Sequence, residues 1–205
     1  LDLKGKDAHQ PTWSPDSKHI AFALMKDYVW KVGVMDTQNE EISVIGSNTE
    51  SHLYQPSWNL NSKSILFHNL ADLFIYDVNE KKITKKIELD TFLRQNLYIT
   101  QETKFFLSNN SKHLIFNAET DEYNKDWSLY NNALFAYSLK TKNIKRLTRK
   151  QLHCSDPWMD KNNNIYFSAF RDNSISTDIY QINLQDTTLI KIIENGDYPS
   201  LTREH

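Results

Sequence analysis

The sequence predicts an all-β chain made of repeated four-stranded antiparallel sheets, and three observations predict it. The stretch Gln10-Pro11-Thr12-Trp13-Ser14-Pro15-Asp16-Ser17-Lys18-His19-Ile20-Ala21-Phe22 returns three more times in altered form. Its echoes are Gln55-Pro56-Ser57-Trp58 with Asn61 to Phe67, then Leu107 to Phe116, then Pro157-Trp158 with Ile165-Tyr166-Phe167, so that anchors fall at 13, 58, 107 and 158. Seven positions after each anchor stands an aliphatic residue (Ile20, Ile65, Leu114, Ile165), and nine after it a phenylalanine (Phe22, Phe67, Phe116, Phe167). Residues two apart in a strand share a face, so each copy presents one aliphatic and one aromatic side chain to the same side. A period of roughly 43 to 51 residues filled with strands is the signature of β-propeller blades.

Taken in order, residues 1–10 combine Leu1 and Leu3 with a polar loop and read as the tail of an outermost strand. The first complete blade spans about 11–45: an inner strand at Trp13, a turn at Pro15-Asp16-Ser17, strands His19 to Leu24 and Trp30 to Met35, a turn over Asp36 to Asn39, and a last strand Ile42 to Ile45. Pro15 presets φ for its turn and Asp16 closes it by bonding back to the backbone, while Ser17 occupies the position where glycine is most comfortable. The second blade, about 56–89, carries its third and fourth strands at Leu73 to Asp77 and Ile83 to Ile87. Between it and the third blade, Leu89 to Glu102 reads as a long loop holding at most a single helical turn. The third blade, about 105–147, has an expanded acidic and aromatic connection from Ala118 to Asn132. The fourth, about 157–193, has the connection Ala169 to Asp178, and Tyr198-Pro199-Ser200-Leu201 opens a fifth inner strand. The chain 1–205 therefore reads as one propeller domain or sector of four complete blades with partial strands at both ends.

Composition narrows the function classes. A net charge of -2 and a pI near 6.4 leave no basic footprint for nucleic acid. The clusters Lys81-Lys82, Lys85-Lys86 and Lys145-Arg146 alternate with apolar residues and read as solvated strand faces. The single cysteine, Cys154, excludes an internal disulfide. No run of about 18 apolar residues is present, so the sequence holds no transmembrane helix. The four glycines, Gly5, Gly33, Gly46 and Gly196, build neither a nucleophile elbow nor a phosphate loop. No carboxylate pair is forced together by its spacing, and no catalytic residue is assigned.

The run Trp13 to Phe22 resembles the repeat of TolB-like propellers, also called WD40-like or PD40 repeats. So do Ile165-Tyr166-Phe167-Ser168, Arg171-Asp172-Asn173 and Asp178-Ile179-Tyr180-Gln181-Ile182 in the fourth copy. The resemblance covers nearly the whole chain and implies a larger propeller of six or seven blades. It also implies a bacterial cell envelope, with a periplasmic or outer-membrane-associated location, protein partners, and association with outer-membrane components. Similar repeats form the non-catalytic half of peptidases of the prolyl-oligopeptidase type and the body of manganese-dependent oligogalacturonate lyases. The third copy departs from the pattern, with Phe105-Phe106-Leu107 where tryptophan and proline are expected, and the turn glycine is absent from every copy.

Blade topology places the loops entering the inner strands, and those between second and third strands, on one face. His9, His52, His153, Tyr123, Trp127, Tyr130 and Arg171 fall on that face and are the candidate binding residues. The three histidines invite a metal, but their offsets from the anchors differ, so no metal and no cofactor is assigned. The aromatics Tyr123, Trp127 and Tyr130 admit two readings: a protein-binding surface, or a cover for the blade edge. The expectation is a non-catalytic protein-protein interaction scaffold. The alternative is the gating or substrate-binding propeller of an enzyme of the peptidase or lyase type.

Overall fold

The computed structural model describes residues 7–46, 50–125, 129–150, 152–170 and 176–199. The chain divides into two compact units, Leu1–Thr91 and Phe92–His205, each holding two blades. In the first unit, one sheet is the meander β1 (Ala8–Trp13), β2 (His19–Lys26), β3 (Val29–Asp36) and β4 (Ile42–Ile45). The other is β5 (Tyr54–Trp58), β6 (Ser64–His68), β7 (Asp72–Asp77) and β8 (Lys82–Glu88). One helical turn, α1 (Asp90–Leu93), follows in sequence. The second unit contains β9 (Leu97–Tyr98), β10 (Phe105–Leu107), β11 (His113–Asn124), β12 (Leu129–Ser138) and β13 (Ile144–Arg146). Its last blade is β14 (Cys154–Met159), β15 (Asn164–Phe170), β16 (Thr177–Asn183) and β17 (Leu189–Ile193). Every neighbouring pair is antiparallel, as short hairpin connections require.

The phenylalanine row of the repeat forms the core of each blade. Phe22, Phe67, Phe116 and Phe167 are all buried, and full burial of such a side chain contributes about 1.5–3 kcal/mol. Opposite three of them, across the second and third strands, lies another ring: Phe74 at 5.5 Å, Phe135 at 5.6 Å and Tyr180 at 5.9 Å between centroids. The first blade solves the same position differently. Gly33 stands opposite Phe22, and a Cβ there would meet the Phe22 ring at 2.7 Å.

The turns close as the sequence predicts. Asp16 Oδ1 accepts from the Ser14 hydroxyl (2.6 Å) and the Lys18 amide (3.1 Å). Partial burial raises the Asp16 carboxyl, but these bonds, with His19 and Lys18 nearby, outweigh it and leave the group below the usual carboxylate range. The position where glycine is missing is left-handed in all four blades: Ser17, Ser62, Ser111 and Asn163 have φ of 60°, 57°, 54° and 61°.

Four expectations are corrected. In the fourth blade Met159, not Trp158, pairs with the aliphatic Ile165, as Trp58 pairs with Ile65, because the intervening turn is one residue shorter. The third blade recruits part of the expected Leu89 to Glu102 loop as a strand, β9, in addition to the helical turn α1. Its β10 pairs in unbroken register, and β9 occupies the remainder of the inner edge by pairing with Glu119 and Thr120. The acidic connection is not a loop: β11 runs to Asn124 and β12 starts at Leu129, a hairpin carried well past the blade. Tyr198 and Pro199 form no strand, and the remainder of that expected fifth strand, like Leu1 and Leu3, lies outside the described residues.

Candidate functional site

The site is built on the first-strand bulge and on the junction between successive blades. In three blades the inner strand carries Gln10, Gln55 or Asp156 directly before its proline, with φ of 57°, 46° and 49°, and the pairing register shifts there. An extra residue at such a bulge turns the strand and re-aims the side chain. Consequently Gln10 reaches the next blade: its Oε1 accepts the Gln55 amide at 3.1 Å. In the second unit Lys104 and Asp156 hold the corresponding places. Burial pushes the Asp156 carboxyl up, a Ser155 hydrogen bond and the Lys104 charge partly oppose it, and burial lowers the Lys104 ammonium. Three of these four, Gln10, Gln55 and Asp156, carry a signal in the sequence, a polar residue before each repeated proline, whereas Lys104, before Phe105, carries none.

His52 and His153 lie just before β5 and β14, as expected, whereas His9, expected in the loop before the inner strand, sits within β1 and pairs with Ala23. In the first unit, His9 meets the Trp30 ring edge-on at 4.1 Å between centroids, and the Trp30 amide donates to His52 Nδ1 at 3.3 Å. His52 also stacks on Tyr54, with ring centroids 5.9 Å apart. In the second, His153 Nδ1 accepts the Asn132 amide at 3.2 Å, and the ring is hydrogen-bonded to the Tyr130 backbone as well. Counted from the prolines, His52 and His153 each lie four residues upstream, whereas His9 lies two upstream. The first two are thus one repeated device, a histidine that ties a blade to its predecessor. Burial lowers His153 below the ordinary histidine value, with the Tyr130 contact opposing it. Among the described residues, no group of three or more His, Cys, Asp or Glu could hold a metal ion.

Tyr123 and Tyr130 face each other across the hairpin, T-shaped at 5.4 Å, with 54% and 52% of their surface exposed. They do not fold down as a cover. Between Glu119 and Tyr123 the β11–β12 register shifts, and Glu122 sits in that irregularity. Arg146 Nη1 donates to Glu122 at 2.7 Å, its Nε donates to the Thr148 carbonyl at 2.9 Å, and Lys150 adds a second cation 3.5 Å from the carboxylate. Burial raises the Glu122 carboxyl, but Arg146 and Lys150 more than offset it and hold it below the usual range. Arg146, expected on a solvated strand face, instead braces the hairpin. Trp127 and Arg171, the remaining candidates, lie outside the described residues.

Cys154 is fully buried at the head of β14, and burial pushes its thiol up to about 12. At neutral pH it holds a proton and packs as a small apolar group. Among the described residues no helix is long and apolar enough to cross a membrane.

Comparison with solved structures identifies the architecture. TolB from Acinetobacter baumannii superposes over 94% of this chain and 45% of its own, at a TM-score of 0.68 and 16% identity. This chain has the β-propeller fold of TolB. A putative TolB from Agrobacterium tumefaciens is similar over 90% of this chain and 64% of its own, at a TM-score of 0.62 and 10% identity. The acylaminoacyl peptidase of Pyrococcus horikoshii is similar over 94% and 33%, at 0.57 and 14%. The chain thus spans less than half of the Acinetobacter TolB and about two thirds or less of the others, consistent with a larger propeller. No family model and no curated protein sequence matches it.

Proposed function

We propose that the chain is a non-catalytic protein-binding module whose contact surface is the β11–β12 hairpin. The observation that carries this reading is the braced tip: two half-exposed tyrosines held ring to ring by a hairpin whose base is locked through Arg146 and Glu122. Rigid aromatic side chains lose little entropy on contact, which is why tyrosine and tryptophan dominate binding hot spots. The TolB likeness supports a periplasmic setting in a bacterial envelope, and a partner at the outer membrane. Site-specific photocrosslinking tests the reading. A benzophenone amino acid at position 123 or 130 is expected to capture one discrete envelope protein, and the same probe at Lys86 on β8 is not. Equal capture from all three positions, or from none, overturns it.

The likeness to peptidases supports a second reading, in which these blades serve as the gating propeller of a longer enzyme. The mass of the native protein separates the two. An attached hydrolase domain selects the gate, and further repeats alone select the scaffold.

A further inference from the structure

The turn side of the junction between the third and fourth blades holds a cleft of about 400 Å³, lined by no residue of the Glu119 to Tyr130 hairpin. Strand register shows how it is built. His113 lies opposite Ser138 and Ala136 opposite Lys145, and Ala136 and Ser138 are two apart on one strand. Directly paired residues share a face, so these four side chains line one wall of the third blade. Leu184 and Asn163 of the fourth blade contribute to the opposite wall.

The corresponding place in the first unit is occupied. His19, the repeat equivalent of His113, lies opposite Asp36 with its Nε2 4.0 Å from that carboxylate, and its ring stands 5.8 Å from the Trp58 indole. In the second unit Ser138 stands where Asp36 does, and Met159 where Trp58 does. The histidine therefore faces a serine in place of the acid and a methionine in place of the indole, and both His113 and Ser138 line the cleft. The residues lining it include Lys145 and His113 but neither an aspartate nor a glutamate.

We propose that this cleft binds a small organic carboxylate. Lys145 and the Ser138 hydroxyl supply charge-assisted donors to the carboxylate, and Ala136 and Leu184 receive its apolar body. The volume falls within the range of small-ligand sites, roughly 300–1,000 Å³. A single lysine on a partly apolar wall suits a monoanion better than a phosphate, which is recognised by several converging donors.

Sodium butyrate is the probe, titrated into the 15N-labelled 205-residue chain at constant ionic strength with amide shifts as readout. The expected result is a saturable shift confined to amides around Ser138, Asn143 and Gln185, absent with the neutral isostere butyramide. Lys145→Gln is expected to weaken the apparent affinity about tenfold. Ser138→Asp restores the residue type that the first two blades carry as Asp36 and Asp77, so it keeps the turn chemistry while placing a like charge in the cleft; it is expected to abolish the shifts. Absence of saturation overturns the proposal. So does an equal response to butyramide, or an unchanged affinity in both variants.

Discussion

The two blade junctions, one in each unit, are variations on a single joint. In the first, Trp58 is buried, its Nε1 donates to the Thr12 carbonyl at 3.1 Å, and the bulge residues Gln10 and Gln55 meet through neutral amide chemistry. In the second, Met159 replaces the indole, Lys104 and Asp156 replace the amides, and a hairpin grows from the outer end of the same sheet. The first joint is filled by the Trp58 and His19 rings, with the Asp36 carboxylate beside them and amides at the bulge. The second has charged residues at the bulge, an open cleft where His113 faces Ser138, and an extended strand pair. One repeat thus gives two joints: where the junction is sealed it contributes stability, and where it is loosened it exposes surface.

The sharpest way to break this comparison is to empty both joints. Trp58→Ala removes a buried indole and its hydrogen bond, and is expected to cost about 3–5 kcal/mol. Met159→Ala, from the less filled joint, is expected to cost about 2–3 kcal/mol. Urea denaturation measures both, and equal losses would mean that the joints do not differ as their side chains suggest. Gly33→Ala tests the first blade against the other three. The added methyl meets the Phe22 ring at 2.7 Å, and overpacking of that kind costs roughly 1–3 kcal/mol. Blades that pair rings at the equivalent site have no such constraint.

The histidine ties sharpen the comparison through pH. His153 accepts the Asn132 amide and is buried below its ordinary value of about 6.5. The unfolded chain therefore binds that proton more readily than the folded one. Stability from this group is complete above about pH 6.5 and is lost as pH falls through the depressed folded value. His153→Leu leaves the Asn132 amide without its acceptor, at a cost of roughly 1–3 kcal/mol at neutral pH, and should flatten the acid limb of the stability profile. A variant that keeps the wild-type slope would show that another group sets it.

What the sequence reveals and what it conceals divide along physical lines. Phe22, Phe67, Phe116 and Phe167 are legible because burial enforces a period-two pattern that survives drift, and all four lie in the core. The turn residue Ser17 is legible because its backbone requirement is local. Met159 is hidden by Trp158, since a one-residue deletion in a turn leaves the tryptophan in apparent register while moving its neighbour into the core position. The hairpin of Glu119 to Tyr130 is hidden because polar strands carry no alternation to read; its pairing rests on backbone bonds and on Arg146, which approaches from β13. His52 and His153 are visible as histidines, yet their equivalence emerges only when counted from the prolines, which fix the bulge, and not from the aromatic anchors.

The smallest effect bears on how blades hold each other at the turns. Ser17, Ser62, Ser111 and Asn163 share a left-handed backbone, so glycine relieves steric cost at each, for a gain of up to about 1 kcal/mol once its extra unfolded-state entropy is counted. Two of them also bond across a junction. Ser62 Oγ accepts the Asp16 amide at 3.0 Å, and Asn163 Oδ1 accepts the Asn109 amide at 2.8 Å. Glycine there sacrifices a bond worth about 0.5–1.5 kcal/mol, which cancels or reverses the gain. Ser111→Gly should therefore raise the urea midpoint while Asn163→Gly leaves it level or lowers it. If both rise equally, the side-chain links between turns contribute nothing, and the junctions are held by their buried faces alone.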